Sequence, residues 1–341
     1  MKSVSIIGAG PAGIEAASVL AKNGMVVNLF EKSSSPLKNV SDKAFLFPNF
    51  AAASDIVEAL SEKLLNTNIV QHFDTEIVNM VREPQGGWKL TDSKNVSYYS
   101  DIILLATGYT PFDAHRKEEL GYGIYNGVIT SLEMEKMIRY GKIVNSIGEK
   151  PRRVAFLQCV GSRDEKSGNH YCSKVCCVTA VKQAIELKKL LPETETYIFY
   201  MDLRMWGQHF EELYRQSQQE YGVRYVRGRI SEASGTFDGR VQIKAEDTLM
   251  GLPLKITADL LVLMVGMEAS EGTRQLSTAC GICGEYGFAQ SVDPHLNDCR
   301  TTEEGLFVCG TCKRPMSIND VVNDGRAAAL AILDLSNHHR A

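Results

Sequence analysis

The run Ile6-Ile7-Gly8-Ala9-Gly10-Pro11-Ala12-Gly13 constrains the fold of this 341-residue chain more than any other. The spacing G-x-G-x-x-G is weak evidence alone. Here it follows the apolar stretch Val4-Ser5-Ile6-Ile7 and opens an apolar helical segment, Ile14 to Ala21, closed by Asn23-Gly24. A second strand-like run, Val26 to Phe30, ends at Glu31, close to the spacing of about 20 residues at which an acid meets a ribose. Strand, turn, helix, strand and acid together predict a dinucleotide site. Gly8 makes the tight turn, Gly10 admits a pyrophosphate close to the backbone, and Gly13 lets the helix pack on the strand. The helix amino terminus at Pro11 and Ala12 stabilises phosphates. Glu31 accepts hydrogen bonds from a ribose diol and repels a 2′-phosphate, which argues against NADP here. The alternative is a tight strand–helix turn with no ligand.

Two later segments bear on which dinucleotide. Ile102 to Leu105 runs into Ala106-Thr107-Gly108, and Leu306 to Cys309 runs into Gly310 before an alanine-rich helix, Val321 to Leu333. Both resemble the FAD-closing segments of the two-dinucleotide-binding-domain flavoproteins, the thioredoxin reductase group. The resemblance implies an α/β fold in which an FAD domain, residues 1–140 and 285–341, is interrupted by a smaller Rossmann-like domain, residues 150–275. It implies FAD contacts from Gly8, Gly10, Pro11, Ala12, Gly13, Glu31, Lys32, Lys43, Phe45, Ile77, Ala106, Thr107, Gly108, Gly310, Thr311 and Ile318. Lys43 and Phe45 fall in a loop that runs along the flavin ring in such proteins, where an amine would stabilise an anionic reduced flavin; the other reading of Lys43 is a surface lysine. Two departures stand out. Thr311 replaces the acid that usually follows the last glycine, and Ser33 to Asn39 lacks the usual Gly-Gly.

From Pro151 the pattern restarts: a strand at Val154 to Leu157, a helix at Ser173 to Leu191, a strand at Thr196 to Tyr200, a helix at Glu211 to Tyr221, then further strands to Val265. No glycine fingerprint follows the first strand. Gln158-Cys159-Val160-Gly161-Ser162-Arg163 stands there instead, which predicts no tight NAD(P)H site. Cys159 lies at the strand's end, and Cys172, Cys176 and Cys177 lie at the start of the next helix. Within a helix, Cys172 and Cys176 would share a face, with Cys177 turned about 100° from Cys176. A helix amino terminus favours thiolates and an anionic cluster. The spacing is that of neither a common ferredoxin nor a zinc ribbon. The alternative is a set of inert, buried thiols.

The stretch Phe156 to Asp164 with Tyr171 to Cys177, and Ala106 to Asp113 with Tyr122-Gly123 and Val128 to Ser131, resembles the A-type flavoprotein of heterodisulfide reductase. That resemblance implies an oxidoreductase: an FAD-containing electron-transfer subunit whose Cys159, Cys172, Cys176 and Cys177 hold a [4Fe–4S] cluster. It also implies B- and C-type partner subunits and a homodimer. The methanogen form carries extra ferredoxin-like modules and splits electron pairs. This chain, without C-x-x-C-x-x-C runs, looks like the short form of the heterodisulfide-reductase-like complex of sulfur oxidisers. No residue is singled out as a catalytic acid, base or nucleophile.

Five cysteines remain. Cys280 with Cys283 and Cys309 with Cys312 form C-x-x-C pairs, open to structural zinc in a non-catalytic FAD scaffold. Cys309 with Cys312 is also open to a dithiol in a self-sufficient disulfide reductase. The resemblance favours Cys309 as packing and Cys312 as flavin-proximal, and Cys299 reads as structural. A net charge of −4 argues against nucleic acid or an anionic membrane surface. The longest apolar run, Leu260 to Val265, is too short for a bilayer span, and Met1-Lys2-Ser3 leads straight into a strand. Nine cysteines in a chain expected in the cytoplasm predict metal, cluster or redox chemistry rather than disulfides.

Overall fold

Five strands in the order Leu306–Val308, Ile102–Leu105, Ser3–Ile7, Val26–Phe30 and Ile69–His72, all parallel, carry the first of two units. The structure, a computed structural model, describes residues 2–338. The first unit comprises Met1–Ser41, Ser54–Thr110 and Glu268–Ala341, the second Asp42–Ala53 and Pro111–Met267. The first unit's strands are apolar on both faces, as a parallel sheet between two layers requires. Val4, Ile6, Leu29, Ile102 and Leu104 pack against Ile14 and Leu20 of the helix Pro11–Lys22 and against Ala328 and Ile332 of the helix Ile318–His338. Ile7, Phe30, Ile103 and Leu105 pack on the other side with Trp88 and Leu90, from an antiparallel sheet of Ile77–Arg82, Trp88–Asp92 and Ser97–Ser100.

This packing is close enough to exclude side chains. A Cβ on Gly13 would stand 2.0 Å from the carbonyl oxygen of Gly8, and one on Gly8, whose φ is +113°, would stand 2.3 Å from that of Ala106. Helix and strand therefore meet backbone to backbone, for which glycine is the one residue that fits.

The second unit repeats the theme. Its parallel strands run Val128–Thr130, Leu260–Val265, Arg153–Val160, Glu195–Tyr200 and Arg224–Arg227. An antiparallel sheet follows, Ile230–Gly235, Val241–Asp247 and Leu252–Ala258. The unit takes more of the chain than the expected 150–275. Residues 111–140, read above as the end of the first FAD segment, belong to it, because Val128–Thr130 pairs with Leu261 to Leu263. Thr130 and Glu133 then close a capping box that starts the helix Ser131–Arg139. Glu268 to Gly284 also joins the first unit, which resumes earlier than the expected 285. No helix among the described residues is long and apolar enough to cross a membrane.

The short segment Asp42–Ala53 is a strap tied to the second unit by buried charge. Lys182 Nζ donates to Phe45 O (2.8 Å) and to Glu135 Oε1 (2.6 Å), and Ala44 N donates to the same Oε1 (3.0 Å). Gln183 Nε2 donates to the other Glu135 oxygen (2.7 Å) and to Ser131 O (2.8 Å). Glu186, one turn from Lys182, fares worse. Its Oε2 lies 3.2 Å from Lys182 Nζ as an ion pair, yet neither of its oxygens accepts a well-aligned hydrogen bond. Burial, aided by the Glu135 charge and opposed by Lys182, pushes the Glu186 carboxyl up to about 7.

Two outcomes follow. Gly13→Ala is expected to cost about 2 kcal/mol or more through overpacking, read as a lower urea midpoint; an unchanged midpoint would mean that the backbone gives way freely. For Glu186 the folded pKa lies above the unfolded value, so the unfolded state ionises first. Stability therefore falls as pH rises from about 4.5 to about 7 and stays lowered above that. Glu186→Gln is expected to raise stability at pH 8 by the order of 2 kcal/mol, a gain that vanishes below about pH 4.5. Urea titrations at the two pH values check it.

Candidate functional site

The glycine loop and its acid come together in the first unit. Glu31 Oε2 accepts the N–H of Ala9 (2.9 Å) and Oε1 that of Ser33 (2.9 Å), so the carboxylate is pinned at the loop while each oxygen keeps acceptor capacity. Gly10 faces open space: a Cβ there would meet nothing within 4 Å. A Cβ on Gly310 would lie 3.0 Å from the Ala12 methyl, and one on Gly108 would lie 3.9 Å from Thr311 Oγ1. Gly8, Ala12, Ala106, Gly108, Gly310 and Thr311 thus form one rim at the carboxyl ends of the parallel strands, where open α/β sheets bind ligands. An open backbone at Gly10, a fixed acid and small residues around the rim fit a dinucleotide. Thr107 is held by Thr273 (Oγ1 to Oγ1, 2.6 Å) and by Ser270 Oγ, which donates to its carbonyl (3.0 Å).

Lys32 is exposed beside the loop, and Ile318 is half-buried at the start of its helix. The Ile77 side chain is spent in the core with Phe30 and Ile103. Lys43 and Phe45 belong to the strap of the second unit, Phe45 tethered by its carbonyl to Lys182.

An acid from farther along the chain does stand against Gly310. Asp324, 14 residues on, accepts the Gly310 N–H (2.6 Å) through Oδ2. Its Oδ1 accepts from Lys313 Nζ (2.8 Å), and Lys313 also reaches Asp298 (2.8 Å), which Arg314 grips with both guanidinium ends (2.8 and 2.6 Å). Sequence reasoning missed this network because its members are scattered along the chain and carry no motif.

In the second unit the strand Arg153–Val160 ends in an irregular loop. Its register with Leu260–Val265 shifts between Leu157 and Val160, and Cys159 takes a left-handed φ of +61°. Arg163 (+52°) and Lys174 (+62°) are left-handed too, three such non-glycine residues around one loop. Conformations like these cost about 1–3 kcal/mol each and persist where the surroundings over-determine them, commonly at functional sites. A Cβ on Gly161 would stand 2.0 Å from the Phe112 ring, so the ring lies against the backbone at this glycine.

The helix begins at Cys176, not at the predicted Ser173. Left-handed Lys174 cannot be helical, so Cys172 lies in the preceding loop and does not share a helix face with Cys176. Its sulfur accepts the N–H of Lys174 (3.3 Å). Cys159, Cys176 and Cys177 are buried together, with the Cys176 thiol in hydrogen-bond contact with the other two. The Cys176 contact, with help from Arg163, lowers the Cys159 thiol to about 7. Cys177 is lowered as well, by Cys176 and by the N–H of Arg204 (3.5 Å), while Cys176 keeps its proton.

Beside them are buried polar atoms with no partner: both amide atoms of Gln158 and the hydroxyl of Ser162, in side chains no more than 5 % exposed. No group of three or more His, Cys, Asp or Glu among the described residues is placed to hold a metal ion. Four thiols around one strand–helix junction, three of them buried together and two lowered toward ionisation, with unpartnered polar atoms in the same stretch, fit the donor chemistry of a thiolate-held cluster better than that of a single ion.

Cys299, Cys309 and Cys312 behave as packing. Cys309 and Cys312 are fully buried, one in the core on each face of the first sheet. Burial holds Cys309 well above the usual thiol range and Cys312 at about 12. Cys312 donates its S–H to the carbonyls of Cys309 (3.0 Å) and Leu105 (3.3 Å). Reactive dithiols are exposed and acidified; this pair is neither. Cys280 and Cys299 are each raised to about 11 by burial, and Cys283 is exposed.

Residues 2–133 match the family described as pyridine nucleotide-disulphide oxidoreductase. Thioredoxin reductase from Lactococcus lactis superimposes with a TM-score of 0.70 at 18 % identity, covering 98 % of both chains. That from T. acidophilum gives 0.69 at 20 % identity, covering 98 % of this chain and 99 % of that one. The fold is thus the thioredoxin-reductase-like, FAD/NAD(P)-binding α/β fold.

Among curated relatives, the A-type component of the H(2)/formate:CoB-CoM heterodisulfide,ferredoxin reductase of Methanococcus maripaludis is 44 % identical over 240 residues, 67 % of this chain and 36 % of that protein. The A-type iron-sulfur component of the CoB–CoM heterodisulfide reductase of Methanocaldococcus jannaschii is 41 % identical over 240 residues, with the same coverage. The chain is a homologue of these A-type components of heterodisulfide reductase, and it spans about a third of their length.

Proposed function

We propose that this chain is an electron-transfer oxidoreductase component that holds FAD at the glycine loop and a [4Fe–4S] cluster at Cys159, Cys172, Cys176 and Cys177. The observation that carries this reading is the buried thiol group at the end of Arg153–Val160, flanked by the unpartnered Gln158 and Ser162. In a nucleotide-binding unit that position belongs to a phosphate loop.

Bound FAD would supply electron-pair chemistry, and a cluster single-electron steps. The chain's own residues supply the rest. Gly8, Gly10 and Gly13 bring the helix amino terminus to the pyrophosphate, and Glu31 orients the ribose. Cys159 and Cys177, both lowered from the usual thiol range, are ready thiolate ligands, and Cys172 would complete the set from its loop. No glycine fingerprint follows Arg153–Val160, so the protein takes electrons from partners rather than from NAD(P)H. By the relatives' names the wider assembly is a heterodisulfide-reductase-like complex. B- and C-type partner subunits, a homodimeric state and a place in sulfur-compound oxidation are part of this proposal and rest on family resemblance.

Anaerobic purification with assays for flavin, iron, sulfide and zinc tests it. One FAD with about four iron and four sulfide per protomer is the expected result. Cys176→Ser should lose most of the iron and keep the flavin. Zinc without iron, or full iron in that variant, would sink the cluster assignment. Mixing with NADH or NADPH should leave the flavin spectrum unbleached.

A further inference from the structure

Around the thiol group the second unit places four arginines and one carboxylate, and they are not equivalent. Arg163 stands near enough to Cys159 for its charge to act on that thiol, its Nη1 is buried without a partner, and it donates through Nη2 to Asp202 Oδ2 (2.7 Å). The same Asp202 turns its backbone carbonyl to the Cys177 thiol, which donates to it (3.8 Å). Arg204 reaches Cys177 only with its backbone N–H (3.5 Å). Arg227 stands 3.7 Å from the far oxygen of Asp202, and Arg229 donates to the carbonyl of Arg163 (3.3 Å). Exposure separates them: the Arg163 side chain is 19 % exposed and that of Arg227 48 %. Charges in water are screened within about 10 Å, whereas a covered one acts at higher effective strength. The left-handed backbone of Arg163, whose N–H donates to Tyr171 O (2.9 Å), fixes where this side chain can go.

Given the cluster reading above, on which this rests, we infer that Arg163, metered by Asp202, sets the reduction potential of the group held by the four cysteines. Reduction adds one electron to that group, supplied in a titration by dithionite through mediators, and removes no ligand. A fixed positive charge beside Cys159 favours the more negative, reduced form and so raises the potential. Asp202 offsets part of that charge and lowers it. Arg163 is a positioning and electrostatic residue, and nothing in its place touches a substrate.

The test is a spectroscopic redox titration of the purified, cluster-loaded protein, with iron and sulfide assayed in each sample. Arg163→Gln should lower the midpoint, by roughly a tenfold change in the reduction equilibrium, about 59 mV for one electron. Asp202→Asn should raise it, Arg163→Lys should fall between wild type and Arg163→Gln, and the double variant should return toward wild type. Loaded variants with unmoved midpoints, or both single changes shifting the same way, would overturn the inference. If Arg163→Gln fails to fold or to load, Asp202→Asn and Arg163→Lys decide it by the same signs. A wild-type protein with no iron would instead overturn the cluster reading, and this inference with it.

Discussion

Backbone contact between Gly13 and the carbonyl of Gly8 sets the geometry of the first unit. With 2.0 Å between that oxygen and the place of a Gly13 Cβ, the helix Pro11–Lys22 can lie directly on the strand Ser3–Ile7. The same economy holds where the last helix meets the first: a Cβ on Gly325 would stand 2.4 Å from the carbonyl of Ala12. Two helices so close to the sheet deliver Gly10, Ala12 and Gly310 to one rim. The pinned Glu31 and the exposed backbone at Gly10 follow from that approach and not from any side chain reaching in.

The second unit starts from the same parallel topology and departs from it at one place. Where the first unit has a glycine turn, Arg153–Val160 ends in a register shift, a left-handed Cys159 and a glycine sealed by Phe112. The local cost of three left-handed residues is offset by the surrounding contacts: Arg163 N to Tyr171 O, Asn169 to Gly161 O, and Met267 N to Ser173 Oγ. Unsatisfied in the same stretch of chain are Gln158, the Ser162 hydroxyl and Arg163 Nη1, all buried, where an unmet hydrogen bond costs about 1–3 kcal/mol. A loop that carries both strain and orphaned donors has the character of a receptor for a polar group.

Buried charge plays a different part in the same unit. Lys182 and Glu135 are nearly inaccessible, and together they hold the backbone of the strap at Ala44 and Phe45. An ion pair so buried repays its desolvation only when hydrogen bonds complete it. Here Phe45 O, Ala44 N and Gln183 do so, and Glu186, left without any, stays largely protonated up to about pH 7.

Local pattern made much of this legible in the sequence. The strands at Val4–Ile7, Val26–Phe30, Ile102–Leu105 and Leu306–Val308, the glycine turn and its acid, and the absence of a second glycine turn all depend on neighbours in the chain. So does the gathering of Cys159, Cys176 and Cys177 at one strand–helix junction. What depended on distant partners was not legible. Cys172 fell off the predicted helix because Lys174 turned left-handed among contacts from Met267 and Tyr171. Residues 111–140 changed unit because a strand about 130 residues later took Val128–Thr130 as its edge. The acid beside Gly310 came from Asp324 through a helix whose placement only packing sets, and the Lys43–Phe45 loop went to Lys182 and Glu135. The sequence by itself determined two glycine- and cysteine-marked strand–helix junctions, since turn chemistry is local. The tertiary structure alone decided which buried charges and carbonyls serve them, since burial and long-range hydrogen bonding exist only once the sheets have formed.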